Sequence, residues 1–402
     1  MLPRLRQDLD MMPSPMQDRP GLLMRDPFQF SSATLVIPKD LVQCLTFFDG
    51  EQSSLDLRAY LVRLTGDLAV GELEQHLIDT LSNAGFLEDD KFAEMKELAQ
   101  REFAEAPTRL AQHAGSGYPE RPGELRDTFE GYLAGPGDDA PAGPILGIAA
   151  PHVSPFGGVE SYRAAYASLQ PSDADRTFVI LGTSHYGDPD RFGLTRKPFV
   201  TPYGETVPDV ALIDELANAA GDAVMMEDYC HAVEHSIEFQ VVFLQHLFGP
   251  GIRVVPILCG SFARSIYEGG LPEDDEGVRR MLGSLGEIAA REGNKLAWIL
   301  GVDMAHMGQR YGDRFEAVAD QAEMATVAER DRNRIRQMEA GDARAFWDLV
   351  QENHDDLKWC GSSPIYTFLQ ALPQARGQLR HYQQWNIDDK SVVSFAGMRF
   401  HS

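Results

Sequence analysis

The chain has little cysteine. Four occur in 402 residues, Cys44, Cys230, Cys259 and Cys360, with no C-x-x-C among them, which excludes a disulfide framework and a paired-thiolate zinc site. A reducing cytoplasm is the compartment this usage fits, and Cys259 and Cys360 read as small buried apolar residues. No apolar run approaches the roughly 20 residues that span a bilayer. The first thirty residues carry prolines and charges (MLPRLRQDLDMMPSPMQDRP) in place of a signal peptide's apolar stretch. Basic residues are also scarce, 36 against 61 acidic ones for a net charge of −25. Such a surface repels phosphate backbones and anionic membranes, so neither is an expected partner. A repeat of fixed period is missing as well.

What is present is globular: 43% hydrophobic and 24% charged residues, in a chain too long for one ordinary core, so two domains are expected. Residues 1–25 alternate Pro, Met and charge without period and read as a flexible arm. From 26 to 106 the pattern is regular. A strand-like ATLVIPKD precedes SSLDLRAYLVRL, where Ser53 and Asp56 stand at capping-box spacing. VGELEQHLIDTLSNAGFL then places Leu73, Leu77 and Leu81 at helical spacing with Gly85 at its end, and DDKFAEMKELAQREF reads as a closing helix. One strand followed by small helices resembles a winged-helix module, and in order and length the PqqD-like peptide-binding domains. Its excess of acids favours a peptide or protein partner over DNA. Residues 107–140, rich in Gly and Pro, read as a linker with a short helix around Asp127–Leu133.

Residues 141–402 carry the chemistry. Four apolar runs stop abruptly at polar or small residues: ILGIAAPH at His152, FVILGTSH at His185, RVVPILCGS at Ser261 and LAWILGVDMAH at His306. Helical patterns separate most of them. The alternation predicts an α/β domain whose largely parallel or mixed central sheet is flanked by helices. Parallel strands end on one edge, where open α/β sheets bind ligands. Histidines from separate strand ends would meet there, suited to metal coordination or proton transfer. Ser184, Asp303 and His306 are the polar neighbours expected to contact a ligand. Gly157 and Gly158 read as turn residues, because PHVSPFGG lacks phosphate-loop spacing.

The segment HAVEHSIE admits two chemistries. His231, Glu234 and His235 match H-x-x-E-H, in which two imidazoles on one helix face bind zinc and the glutamate acts as base, as in a metallopeptidase. In the other, His231 lies in a preceding loop, and His235 and Glu238 share a helix face apart from the apolar stripe of Ile237, Val241, Leu244 and Phe248. His235, with Glu234, then serves acid–base chemistry, and Glu238 a ligand.

Taken in order, APHVSPFGG, LGTSHYG, EHSIEFQVVFLQHL, VVPILCGSF, GVDMAHMGQRYGD, CGSSPIYTFLQAL and the final SVVSFAGMRF resemble the blocks of the Memo family over roughly 142–402. That family is similar in fold to the class III extradiol dioxygenases. The resemblance implies a metal pocket holding iron, copper or zinc, with His152 and His185 as ligands and His235 as the histidine that assists dioxygen chemistry in the dioxygenases. The third ligand, a cysteine in the animal Memo protein and a glutamate in dioxygenases, is placed by this reading at Ala305, which can ligate nothing. Bacterial relatives resemble components of a radical SAM-associated system (AmmeMemoRadiSam), which implies a radical SAM protein as a partner. A non-catalytic scaffold stands as the alternative.

Overall fold

The computed structural model describes residues 1–16, 18–135 and 145–402. The chain divides into two compact units, Met1–Ala106 and Pro107–Ser402.

In the first unit, strands β1 (Asp10–Pro13), β2 (Gly21–Arg25) and β3 (Thr34–Pro38) form an antiparallel sheet in that order, followed by helices α1 (Ser54–Thr65), α2 (Gly71–Asn83) and α3 (Asp90–Glu105). The Ser53–Asp56 capping box is present, and Gly85 follows α2 at φ +69°. The N-terminal stretch is not a loose arm. Leu2 and Leu9 are buried with Met24 and Phe86. The Arg6 guanidinium, 2% exposed, bonds Asp26 and the Gly85 carbonyl and lies 4.0 Å from the Phe92 ring centre. Single ionic anchors of this kind leave no periodicity to read.

The second unit runs β4 (Arg109–Leu110), α4 (Pro122–Leu133), β5 (Gly147–Ala150), α5 (Val159–Tyr166), β6 (Thr177–Thr183), β7 (Phe192–Leu194), β8 (Phe199–Thr201), β9 (Gly204–Glu205), β10 (Val207–Pro208), α6 (Val210–Ala220) and β11 (Val224–Met226). It continues with α7 (Cys230–Val233), α8 (Glu238–Phe248), β12 (Arg253–Cys259), α9 (Ala263–Glu268), α10 (Glu276–Glu292), β13 (Leu296–Gly301) and β14 (His306–Gly308). Last come α11 (Ala322–Ala340), α12 (Ala343–Gln351), α13 (Ser362–Ala371), β15 (Arg376–Asp388) and β16 (Ser391–His401). The large mixed sheet is ordered β11-β7-β12-β6-β13-β5-β16-β14, with β15 on β16 and β10 on β12. Its centre, β12-β6-β13-β5, is parallel. β16 runs antiparallel to β5, β14 and β15.

Alternation explains the apolar runs. Val179 and Leu181 of β6, Trp298 and Leu300 of β13 and Val255 and Ile257 of β12 enter one core with Met281, Trp347 and Phe368. Their neighbours Phe178, Ile180, Ala297, Ile299, Val254 and Leu258 enter a second core with Phe129, Tyr162 and Phe243. Both faces are covered, so every strand position is apolar until the chain leaves the sheet.

The stretch expected as a linker is packed structure in its described part. β4 pairs parallel with β8, and α4 buries Leu125 and Phe129. The end of that expected linker, 136–140, and the start of the expected second domain, 141–144, lie outside the described residues. No helix of the described residues is long and apolar enough to cross a membrane.

Candidate functional site

The parallel centre delivers His152 two residues beyond β5 and His185 two beyond β6. His235 arrives from another direction, on the turn between α7 and α8. That turn reaches the sheet because two strand ends lack side chains. A Cβ on Gly182 would stand 2.6 Å from the Ser236 hydroxyl and from Ile237, and one on its lateral neighbour Gly301 would collide with the Ser236 carbonyl oxygen. Docking is completed by the Ser236 hydroxyl donating to the Thr183 carbonyl at 2.9 Å and the Gln240 amide to the Pro151 carbonyl at 2.7 Å.

The three imidazoles converge. Their ring centres are 5.1 Å apart in each pairing, and one nitrogen of each lies within 4.8 Å of the others. Each ring is held by its Nδ1. That of His152 lies 2.9 Å from the Gly301 carbonyl oxygen, that of His185 3.0 and 3.1 Å from the two oxygens of Glu234, and that of His235 3.1 Å from Glu234 Oε1. A carbonyl or carboxylate oxygen only accepts, so in the neutral rings Nδ1 carries the proton and Nε2 keeps the lone pair.

Glu234, expected as a general base, has no capacity left for that role. Besides the two rings it accepts the backbone N–H groups of His185, His235 and Ser236 at 3.0, 2.8 and 3.1 Å. Burial opposes its charge, but His185 and His235 hold the carboxyl well below the usual range. It orients imidazoles.

A thiol joins the cluster's edge from a place the sequence did not mark. Cys360, expected as an inert apolar residue, puts Sγ 3.2 Å from His152 Nε2. Burial would raise its thiol, yet His152, His306 and His185 pull it well below the ordinary thiol value. Ala305, where the third ligand was sought, is instead buried in the core, its N–H donating to the Ser394 hydroxyl. The loop before Cys360 is contorted, with Asn353, His354, Asp355 and Lys358 all at φ near +54°. The Arg334–Asp355 ion pair at 2.7 Å and the Trp359 indole donating to Asp331 at 2.7 Å hold it. Non-glycine residues in this region cost about 1–3 kcal/mol each and persist where the surroundings enforce them.

Asp303 and His306 border the cluster. Asp303 accepts the His152 N–H at 2.9 Å and stands 3.5 Å from its Nε2. Burial raises its carboxyl pKa, with His152 opposing. Burial disfavours charge on His152, but Asp303 and Cys360 lift its pKa to about 9. His185 is also raised, because Glu234 and Cys360 outweigh burial, whereas burial lowers His235, reinforced by the other two histidines. His306 turns Nδ1 toward the carbonyl oxygens of Met304 and Lys358, at 2.9 and 3.1 Å.

Two expected site residues, His231 and Glu238, serve other ends. His231 is buried with Nε2 3.0 Å from the Gly193 carbonyl oxygen, and the α7 helix stops at Val233 with Glu234 extended (ψ 139°). His231 and His235 therefore share no helix face, and the H-x-x-E-H zinc arrangement does not form. Glu238 faces Arg109, the Tyr118 hydroxyl and the backbone N–H groups of Gln112 and His113, at 3.0 and 2.9 Å. No lone pair is left for a ligand. Ser184 sits over Gly187 beside the Cys230 thiol. Arg109, unnoticed in the sequence, braces the segment by donating to the carbonyls of His231 and Glu234 at 2.8 and 2.9 Å.

The family model described as Memo-like protein matches residues 109–399. A MEMO1 family protein of Aquifex aeolicus is 26% identical over 383 residues, covering 94% of this chain and 96% of its own length, so that likeness extends through the N-terminal unit. MEMO1 family proteins of Thermus thermophilus and Thermococcus kodakarensis are each 30% identical, over 244 and 300 residues, covering 60% and 71% of this chain and 67% and 97% of theirs.

Proposed function

The chain belongs to the Memo-like family, and from that premise we propose that His152, His185, His235 and the Cys360 thiolate hold one divalent metal ion and present it to a small polar ligand. The observation that carries the reading is the convergence of one nitrogen from each of three imidazoles whose Nδ1 atoms are hydrogen-bonded, beside a thiol pulled toward its ionised form. Nitrogen and sulfur donors suit zinc, iron or copper; magnesium and calcium prefer oxygen. Bound there, such an ion would supply Lewis acidity toward a ligand oxygen or nitrogen.

The protein's own groups do the rest. Glu234 and the Gly301 carbonyl keep the lone pairs aimed inward, Asp303 fixes the His152 backbone, and His306 stands at the border to contact a ligand. Because the ligating nitrogens and sulfur must lose their protons, metal uptake releases protons and weakens as pH falls.

Metal analysis of untagged protein tests this. Stoichiometric zinc, iron or copper is expected in the parent and none in the His152→Ala/His185→Ala double variant. Cobalt-loaded protein should show a sulfur-to-metal charge-transfer band that Cys360→Ser removes. Metal-free protein whose stability the double variant leaves unchanged would overturn the reading in favour of a binding scaffold without chemistry.

A further inference from the structure

The third imidazole is less firmly held than its two neighbours. His185 Nδ1 faces both oxygens of Glu234, at 3.0 and 3.1 Å, and His152 is fixed through both its nitrogens, by the Gly301 carbonyl and the Cys360 thiol. His235 Nδ1 meets a single oxygen, Glu234 Oε1, at 3.1 Å. The χ2 torsion of a histidine is broad, so one contact leaves the tilt of this ring to whatever packs against it. That tilt decides where its second nitrogen points.

Two rings pack against it. Phe239, one helical turn further along α8, and His113 each stand edge-on to His235 with centres 5.6 Å away, and the same 5.6 Å separates them from each other. His113 comes from the stretch that reads in the sequence as a linker. Its ring is anchored through Nε2, which lies 3.2 Å from the carbonyl oxygen of Val233, the last residue of α7. That oxygen only accepts, so in the neutral ring Nε2 carries the proton. Its backbone is anchored too. The His113 carbonyl closes a turn by accepting the Gly117 N–H at 2.8 Å. The His113 N–H donates to Glu238 Oε1 at 2.9 Å, a bond that the amide oxygen of a glutamine can equally accept. Gly117 lets the turn lie on Phe239, since a Cβ there would stand 2.9 Å from the phenyl ring and 3.4 Å from His113 Cβ.

We propose that His113 is a positioning residue of the metal pocket: from a turn held against α7 and α8 it bears edge-on on His235 and fixes the tilt of that imidazole, so that the nitrogen His235 offers a metal points at those of His152 and His185. The proposal rests on the metal-site reading above and adds a residue that acts through a ligand without being one. Among the described residues, the imidazoles whose nitrogens lie close enough to share an ion are His152, His185 and His235, and His113 has committed its Nε2–H to Val233. Edge-to-face rings attract one another beyond simple area burial, which gives the contact its direction. The Val233 carbonyl adjoins Glu234, so the carboxylate and the ring that together hold His235 are fastened to the same peptide group. Phe239 and the Glu234 contact remain when His113 is lost, and the ring is then loosened and not released.

Cobalt titrated into metal-free full-length protein tests it, with affinity read by competition against a chelator and coordination geometry by the visible absorption of the bound ion. His113→Ala should bind cobalt about tenfold more weakly and show an altered spectrum. His113→Phe, which keeps the ring, should stay within about threefold of the parent affinity and keep the parent spectrum. His113→Gln, which keeps a donor without the ring, should resemble the alanine variant and takes its place if that variant does not fold. In a His235→Ala background, His113→Ala should cost no further affinity, because the two changes act on one element. Unchanged affinity in the ring-less variants, a phenylalanine variant as weak as the alanine one, or an equal loss with and without the His235 ring would overturn the positioning role and leave the metal reading standing. A parent protein that takes up no cobalt would overturn the metal reading, and this proposal with it.

Discussion

Two buried glutamates four residues apart, Glu234 and Glu238, have opposite consequences. Both are at most 2% exposed and both are saturated with donors. Around Glu238 the donors are a guanidinium, a phenol and two backbone N–H groups, and the guanidinium and N–H groups have no lone pair to offer a ligand. Around Glu234 two of the donors are imidazoles, each with a second nitrogen besides the one bonded to the carboxylate. The same carboxylate chemistry therefore makes a structural clamp in one case and a scaffold that orients imidazoles in the other. The difference lies in whether the partner has a further functional atom.

Removing a partner from the clamp should have the largest effect. Arg109→Ala leaves the Glu238 charge buried without its counter-ion, and a loss of about 3–5 kcal/mol is expected in denaturant unfolding. A shift below about 1 kcal/mol would mean that Glu238 is far better hydrated than its burial implies. Glu234→Gln tests the other side. It keeps the shape but weakens the acceptor for both rings, so metal affinity should fall about 10–100-fold, measured by competition with a chelator. Glu238→Gln should leave the affinity of the folded protein within about twofold, since its partners touch no ligand nitrogen. Equal affinity losses in the two variants would dissolve the distinction. Gly301→Ala should act more mildly, about 1–3 kcal/mol for an overpacked contact, together with weaker metal binding as the Ser236 carbonyl is displaced and His235 with it. Stability lost without any change in affinity would show that the turn carries His235 independently of the sheet.

Several of these parts were readable in advance because they are local. The runs ending at His152, His185 and His306 are apolar at every position since both faces of the sheet are covered, and parallel strands bring the first two histidines to one edge. The capping box at Ser53 and the glycine closing α2 are likewise written within a few residues. His231 could not be separated from His235 by spacing. What separates them is a helix of four residues that ends at Val233 and leaves Glu234 extended, a break driven by the contacts of Arg109 and the Gly193 carbonyl. Cys360 carried no signal either, since a thiol before a helix has the same letter whether it faces Leu and Val or three imidazoles. The stretches 1–25 and 107–135 looked like loops for lack of periodicity, but their anchors are single buried arginines, Arg6 and Arg109.

By itself, then, the sequence determined the strands, their order along the chain and the histidines at their ends, because a strand covered on both faces must be apolar and a strand end need not be. Only the tertiary structure decided which side chains share the pocket. Gly182 and Gly301 had to lie side by side before the His235 turn could approach, and the contorted loop before Cys360 had to be fastened to Asp331 and Arg334 before the thiol could meet His152. Those are contacts between residues far apart in the chain, and their free energy depends on three-dimensional neighbours that no local pattern encodes.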